Sequence, residues 1–392
     1  MVGRTPVVRS FILIERKKTA TLPPFCSLPT GDRQENEPWH GIDEPPPRKG
    51  SSVRASKNLR VALTIVGALL VALIALTYYD YRRDMDVARG RVSSGSQVVN
   101  TPCGLIEYAD VGKGPPVLVV HGAGGGFDQG LELAQPLIGN RFRVIAVSRF
   151  GYLRTPLPAD ASPMAQADAH ACLLDALKLG RVAVIGGSAG APSAMQVCLR
   201  HPEMCSALVL LFPLAFAPGH AQSSRAFESV RPAGQPSPFF ILVIKTTLHS
   251  DFLFWAATKL ARNTLVETVL GTPVKDFRTA PREEQARALQ IMRNILPVSQ
   301  REKGIWMDAT IGPSLPRYDL ERIRVHTLLI SAEDDLYGTF PSARYTAEHI
   351  PGAQFVGFPT GGHLLLGHWE ESSARVAGFL RSESAQEHSV IQ

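Results

Sequence analysis

The sequence predicts an α/β fold in which a mainly parallel central sheet carries helices on both faces. Two observations carry this. Short apolar runs rich in β-branched residues alternate with helical stretches over residues 97–212 and again over 319–385. Such alternation is what parallel strands joined by crossover helices require. Between these stretches, residues 213–318 abandon the alternation for a long, apolar, helical pattern, which reads as a helical insertion.

The elements follow in order. Residues 97–100 and 104–109 read as a first hairpin, and Pro116-Val117-Leu118-Val119-Val120 as a short buried strand. Residues 142–147 form the next strand. Ser162 then caps a helix running to Leu179, with Ala167, Ala171, Leu174 and Leu177 near one face. A strand over 181–185, a helix over 189–200 and a strand over 207–212 follow, and later strands start at Thr327 and Phe355. Inside the insertion, residues 239–244, 251–255 and 283–295 are the apolar or helical stretches.

Four strand ends carry chemistry. The run Val184-Ile185 passes into Gly186-Gly187-Ser188-Ala189-Gly190. A sharp strand-to-helix turn of this kind lifts a serine hydroxyl out of a sheet, and small neighbours tolerate its backbone. The following N–H, on Ala189, then points where an oxyanion would form. Upstream, Val120 leads into His121-Gly122-Ala123-Gly124-Gly125-Gly126. Its glycines let backbone N–H groups approach a substrate, although any strand-to-helix turn favours glycine. Downstream, Thr327-Leu328-Leu329-Ile330-Ser331-Ala332 ends in Glu333-Asp334-Asp335, and a last strand ends in Gly361-Gly362-His363. A carboxylate past a strand end can orient a histidine; the plain alternatives are an acidic loop in water and a solvated histidine.

In this order and context the chain resembles the α/β-hydrolase family. The resemblance covers about residues 97–382. It implies Ser188 as nucleophile, Asp335 as the orienting acid and His363 as base. It also implies backbone N–H groups of Ala123 and Ala189 as the oxyanion site, with Gly124 as alternate. The family's acid usually follows a G-x-x-D spacing; Ala332 stands in for that glycine and favours Asp335 over Asp334. The insertion corresponds to the family's cap, which shapes the pocket and excludes water. Its aromatic residues suggest an apolar acyl substrate, or serve only to hold cap to core. The implied activity is carboxylic ester hydrolysis, with amide, lactone, thioester or C–C hydrolysis as alternatives on the same machinery. A non-catalytic, membrane-tethered binding protein of the same fold is the rival from another class. No metal or organic cofactor is implied.

Composition narrows the partners. The chain has 392 residues and a formal net charge of +6. Residues 1–60 hold eleven basic and six acidic side chains, so most of that excess is local. No aromatic interleaving or RNA-binding signature points to nucleic acid. The five cysteines are scattered without a C-x-x-C. Cys172 and Cys198 fall in helical stretches, where a free thiol packs as a small hydrophobe; a disulfide among Cys103, Cys172, Cys198 and Cys205 stays open.

Residues 61–77 contain no charge, and Tyr78 and Tyr79 extend the run. As a helix it spans roughly 28 Å, close to a bilayer core. A cleaved signal peptide usually has a shorter apolar core ending in small residues. The reading is therefore a disordered basic segment over 1–59, a transmembrane helix over 60–80 and a polar linker over 81–96. The richer basic content of the N-terminal segment favours a cytoplasmic N-terminus, with the catalytic region outside. A start near Val53 in place of Met1 would leave a compact basic-then-apolar anchor.

Overall fold

The computed structural model describes residues 51–219 and 246–391. The expectations for residues 1–50 and 239–244 lie outside the described residues. Two units divide the chain, Met1–Gly67 and Ala68–Gln392; the described part of the first is helical, and the second holds the sheet.

Helix α1 covers Ser51–Ser93. Then come β1 (Gln97–Thr101), β2 (Gly104–Val111), β3 (Pro116–Val120), α2 (Phe127–Ile138), β4 (Arg143–Val147), α3 (Pro163–Ala176), β5 (Val182–Gly187), α4 (Ala191–Arg200) and β6 (Cys205–Leu211). Residues 246–249 are helical, and before the next strand come α5 (Asp251–Leu260), α6 (Arg262–Thr268), α7 (Val274–Thr279), α8 (Arg282–Asn294) and α9 (Glu302–Ile311). The chain closes with β7 (Thr327–Ala332), α10 (Phe340–His349), β8 (Gln354–Phe358) and α11 (Trp369–Ile391).

The eight strands form one sheet in the order β1-β2-β4-β3-β5-β6-β7-β8. Pairs β1–β2 and β2–β4 are antiparallel and the rest are parallel. Side chains alternate between its faces. Leu118, Ile145, Val184, Leu208 and Leu329 pack with α3, α4 and α10 on one face. Val119, Ala146, Ile185, Val209 and Ile330 pack with α2 and α11 on the other. Burial on both faces explains why the central strands read as unbroken apolar runs. Helix α3 begins as the sequence predicts, with Ser162 Oγ accepting from the Ala165 N–H at 3.2 Å. It stops before Leu179 because Lys178 turns left-handed, at φ 54°.

The stretch over 81–96 differs from the expected linker. Helix α1 runs on to Ser93 because Tyr81, Met85, Ala88 and Val92 recur at helical spacing and are covered. Met85 is 0%, Ala88 3% and Val92 4% exposed. Met85 and Ala88 pack against Phe254, Trp255, Ile295 and Leu296. Trp255 Nε1 donates to Asp84 at 2.9 Å and Lys259 pairs with the same carboxylate at 2.8 Å. Burial pushes the Asp84 carboxyl upward, but these donors outweigh it and hold it down at about 2. The stretch just upstream behaves oppositely: Leu69, Leu73, Ile74 and Leu76 stay exposed. This is the described helix long and apolar enough to cross a membrane.

The four cysteines of the second unit are paired, Cys103 with Cys172 and Cys198 with Cys205. Cys172 and Cys198 are therefore not free core thiols. The first bridge ties the β1–β2 hairpin turn to α3, across 69 residues, and closing a loop of that length removes entropy from the unfolded chain.

Candidate active site

Ser188 sits where β5 turns into α4, at φ 49°. A non-glycine residue pays about 1–3 kcal/mol for such a conformation, which persists only where packing enforces it. Close approach supplies the enforcement. A Cβ on Gly186 would lie 2.6 Å from Ala194 Cβ, and one on Gly190 would lie 2.4 Å from the Val120 carbonyl oxygen. The helix thus lies hard against its strand and the end of β3, and only glycine fits at either position.

The serine hydroxyl meets a histidine from the far end of the chain. Ser188 Oγ is 2.9 Å from His363 Nε2, and His363 Nδ1 is 2.8 Å from Asp335 Oδ2. Both partners are buried. Asp335 also accepts from the Tyr337 N–H at 2.8 Å and from the Thr339 hydroxyl. A fully engaged carboxylate makes Nδ1 the donor and leaves Nε2 as acceptor toward the hydroxyl. That tautomer is the one in which an imidazole can take a serine proton. The His363 ring is held between Phe212, centroids 4.5 Å apart, and Tyr337, 4.8 Å apart. Burial, with Asp335 beside it, pushes the Tyr337 phenol up and keeps it neutral. Its hydroxyl donates to the Val269 carbonyl at 2.8 Å.

Asp334 points elsewhere. It accepts from the N–H groups of Gly362 at 2.8 Å and Gly361 at 3.3 Å, the two residues before His363. Burial, and then the neighbouring Asp276 carboxyl, push Asp334 up to about 7.

The glycine turn after β3 lies directly across from the serine: a Cβ on Gly122 would come within 3.1 Å of Ser188 Cβ. Of three consecutive amides, the outer two are engaged. Gly122 N donates to Gln129 Oε1 at 3.0 Å and Gly124 N to the Tyr152 hydroxyl at 3.3 Å. Ala123 is exposed, and no acceptor among the described residues meets its N–H. Gly124, the alternate donor of the sequence reading, therefore has its amide turned to Tyr152, and Ala123 is left with the open one. His121 is buried and neutral, disfavoured as a cation by burial first and by Arg149 second. Its Nε2 accepts from the Arg149 N–H at 3.0 Å and its Nδ1 lies 2.6 Å from the Gly122 carbonyl.

Behind the site lies a polar cluster absent from the sequence reading. Arg149 Nη1 donates to the Ala189 carbonyl at 2.9 Å and to Asp308 Oδ1 at 2.9 Å. Tyr152 donates to the same carboxylate. One carboxylate on α9 thus ties the turn after β4 to both sides of Ser188. Arg149 and Tyr152 follow a strand end, a position that could have marked them. Asp308 is 159 residues from Arg149, and nothing local signals it. No group of three or more His, Cys, Asp or Glu side chains among the described residues is arranged to hold a metal.

A profile of the alpha/beta hydrolase fold matches residues 115–367. The chain belongs to the alpha/beta hydrolase fold family. It is 25% identical over 291 residues to the uncharacterized hydrolase YcgS of Bacillus subtilis (strain 168), covering 71% of this chain and 96% of that relative. It is 28% identical over 261 residues to the putative carbamate hydrolase RutD of Klebsiella pneumoniae (strain 342), covering 64% of this chain and 85% of the relative. Among solved structures, an alpha/beta hydrolase fold protein from Nakamurella multipartita superposes with a TM-score of 0.57 at 27% identity, covering 74% of this chain and 99% of the other. This chain is a hydrolase of the alpha/beta hydrolase fold. Helix α1 up to Ser93 lies before the residues that the family profile matches.

Proposed function

We propose that this protein is a membrane-anchored serine hydrolase that cleaves a carboxylic ester or related acyl bond. The observation that carries the reading is the unbroken chain Asp335–His363–Ser188, at 2.8 Å and 2.9 Å. Ser188 Oγ attacks the acyl carbon as His363 Nε2 takes its proton. The carbonyl oxygen becomes an oxyanion held by the Ala123 and Ala189 N–H groups. The intermediate collapses, the bond to the leaving group breaks, and His363 gives the proton to the departing oxygen. Water, deprotonated by His363, then attacks the acyl-serine, and Ser188 leaves with its proton restored. Asp335 stays ionised throughout and orients the imidazole.

The helices between β6 and β7 act as a cap in this reading, and Ile295, close against Gly124, supports an apolar acyl pocket. Residues 61–79 anchor the chain. Leaving Leu69, Leu73, Ile74 and Leu76 in water would forgo roughly 25 cal/mol per Å² of apolar burial, which a bilayer restores. Two disulfides support an oxidising compartment for the catalytic region. Together with the basic N-terminal segment, they support a cytoplasmic N-terminus and a catalytic domain outside.

The test is covalent labelling with a fluorophosphonate, followed by an acyl-ester and carbamate panel on wild type and Ser188→Ala. The reading expects an adduct on Ser188 and turnover lost in the variant. An adduct on another serine, or undiminished turnover, would overturn it.

A further inference from the structure

The extramembrane end of α1 reaches the turn that faces Ser188. Arg91 lies in the last turn of that helix. Its Nε donates to Asp128 Oδ2 at 3.0 Å, and its Nη2 donates to the carbonyls of Asn294 at 2.9 Å and Leu296 at 2.5 Å. Asp128, in the first turn of α2, is shared. Arg301, wholly buried, donates to it from Nη2 at 2.7 Å and from Nη1 at 3.1 Å. Arg301 Nη1 also donates to the Gly125 carbonyl. The glycine turn lies directly on this cluster: a Cβ on Gly126 would come within 2.9 Å of Arg301 Nη1 and 3.0 Å of Asp128 Oδ1.

Stability alone does not account for such a cluster. Two guanidinium groups and one carboxylate taken from water carry a desolvation cost that packed apolar side chains would avoid. What charges in fixed geometry supply is position. The position held here is that of residues 122–126, including the Ala123 amide, which meets no acceptor among the described residues. The same block contacts the turn from its other side, since Ile295 Cγ1 lies 3.4 Å from a Cβ built on Gly124 and Ile295 packs with Met85 and Ala88 of α1.

We propose that Arg91 is a positioning residue, acting through Asp128 and Arg301 to hold the Ala123 N–H where the oxyanion develops. The last turns of the anchor helix are then part of the catalytic unit and not a spacer between membrane and enzyme. The proposal rests on the serine-hydrolase reading. It implies an effect on the transition state: an oxyanion donor moved out of line lowers kcat while leaving substrate binding nearly untouched.

The experiment uses the full chain in detergent micelles, with Arg91→Ala, Arg91→Lys and, as a control on helix docking, Lys259→Ala. Lys259→Ala breaks the Asp84 pair on the same helix and leaves the Arg91 cluster alone. Steady-state kinetics on a soluble ester, the rate of fluorophosphonate labelling and the thermal midpoint are measured for each. Arg91→Ala should lower kcat about tenfold or more, a fraction of the 10²–10³-fold expected for complete loss of one donor. KM should stay within about twofold, and labelling should slow in parallel with kcat. Guanidinium ion at tens of millimolar should restore part of the activity, where sodium at equal ionic strength does not. Arg91→Lys should fall between, and Lys259→Ala should keep wild-type kcat. Asp128 remains paired with Arg301 in every variant, so folding is expected to survive. A lowered midpoint with kcat retained, a change confined to KM, or an equal kcat loss in Lys259→Ala would overturn the proposal. Failure of wild type to label at Ser188 would instead defeat the serine-hydrolase reading.

Discussion

The two walls of the site are built in different ways. The serine wall is mostly local: β5, the elbow and α4 occupy nineteen consecutive residues, Val182 to Arg200, and two glycines permit the close packing that strains Ser188, one of them against the end of β3. The facing glycine turn has no such internal support. It is held by Gln129 and Tyr152 at its amides, by Arg301 at the Gly125 carbonyl, and by ion clusters that draw in Arg91 and Asp308. A wall fixed by neighbours in sequence fails when its few residues change. A wall fixed by distant side chains fails by degrees, one contact at a time.

That contrast sets the order of the expected effects. Loss of the nucleophile in Ser188→Ala should cut kcat by about 10⁴–10⁶-fold with the fold intact, measured by steady-state kinetics beside circular dichroism. Asp335→Asn should cost about 10⁴-fold, because the wrong tautomer faces Ser188. Asp334→Asn, which keeps an acceptor for Gly361 and Gly362, should cost less than about tenfold, and comparable losses in the two variants would reverse their assignments. On the facing wall, Asp308→Ala leaves Arg149 buried without its partner. Both side chains are under a tenth exposed, so the variant should be destabilised by about 3–5 kcal/mol in denaturant titration. It should retain measurable turnover, unlike Ser188→Ala.

The smallest effect is one of pH. Asp334 is held at about 7 in the folded protein, above its ordinary 3.8, so folding favours its protonated form. Stability from this group is full below about pH 4, falls as pH rises toward 7 and is level above. Asp334→Asn mimics the protonated acid. The difference in thermal midpoint between variant and wild type should therefore grow in the variant's favour from pH 4 to pH 7; a constant difference would contradict the assignment.

Helix α1 shows where reading by composition stops short. Its apolar run is plain in the sequence, and so is the charge-rich stretch after it, which composition alone marks as a linker. The stripe Tyr81, Met85, Ala88, Val92 is also present in that stretch, but four apolar residues among many charges do not announce what covers them. Helix α5 and the segment around Ile295 cover Tyr81, Met85 and Ala88, and they lie more than 160 residues away. The same holds for the cysteines: their positions are visible, but their pairing depends on which turn of the hairpin and which face of α3 meet.

By itself the sequence determined the sheet, the order Ser188, Asp335, His363, the glycine turn and the apolar span. Each depends on short-range rules of periodicity, turn sterics and strand ends. Tertiary structure alone decided that Tyr152 takes the Gly124 amide and that Arg91, Arg301 and Asp308 stand behind the site. Those outcomes depend on side chains and backbone groups meeting across 28 to 205 residues, and no local pattern encodes them.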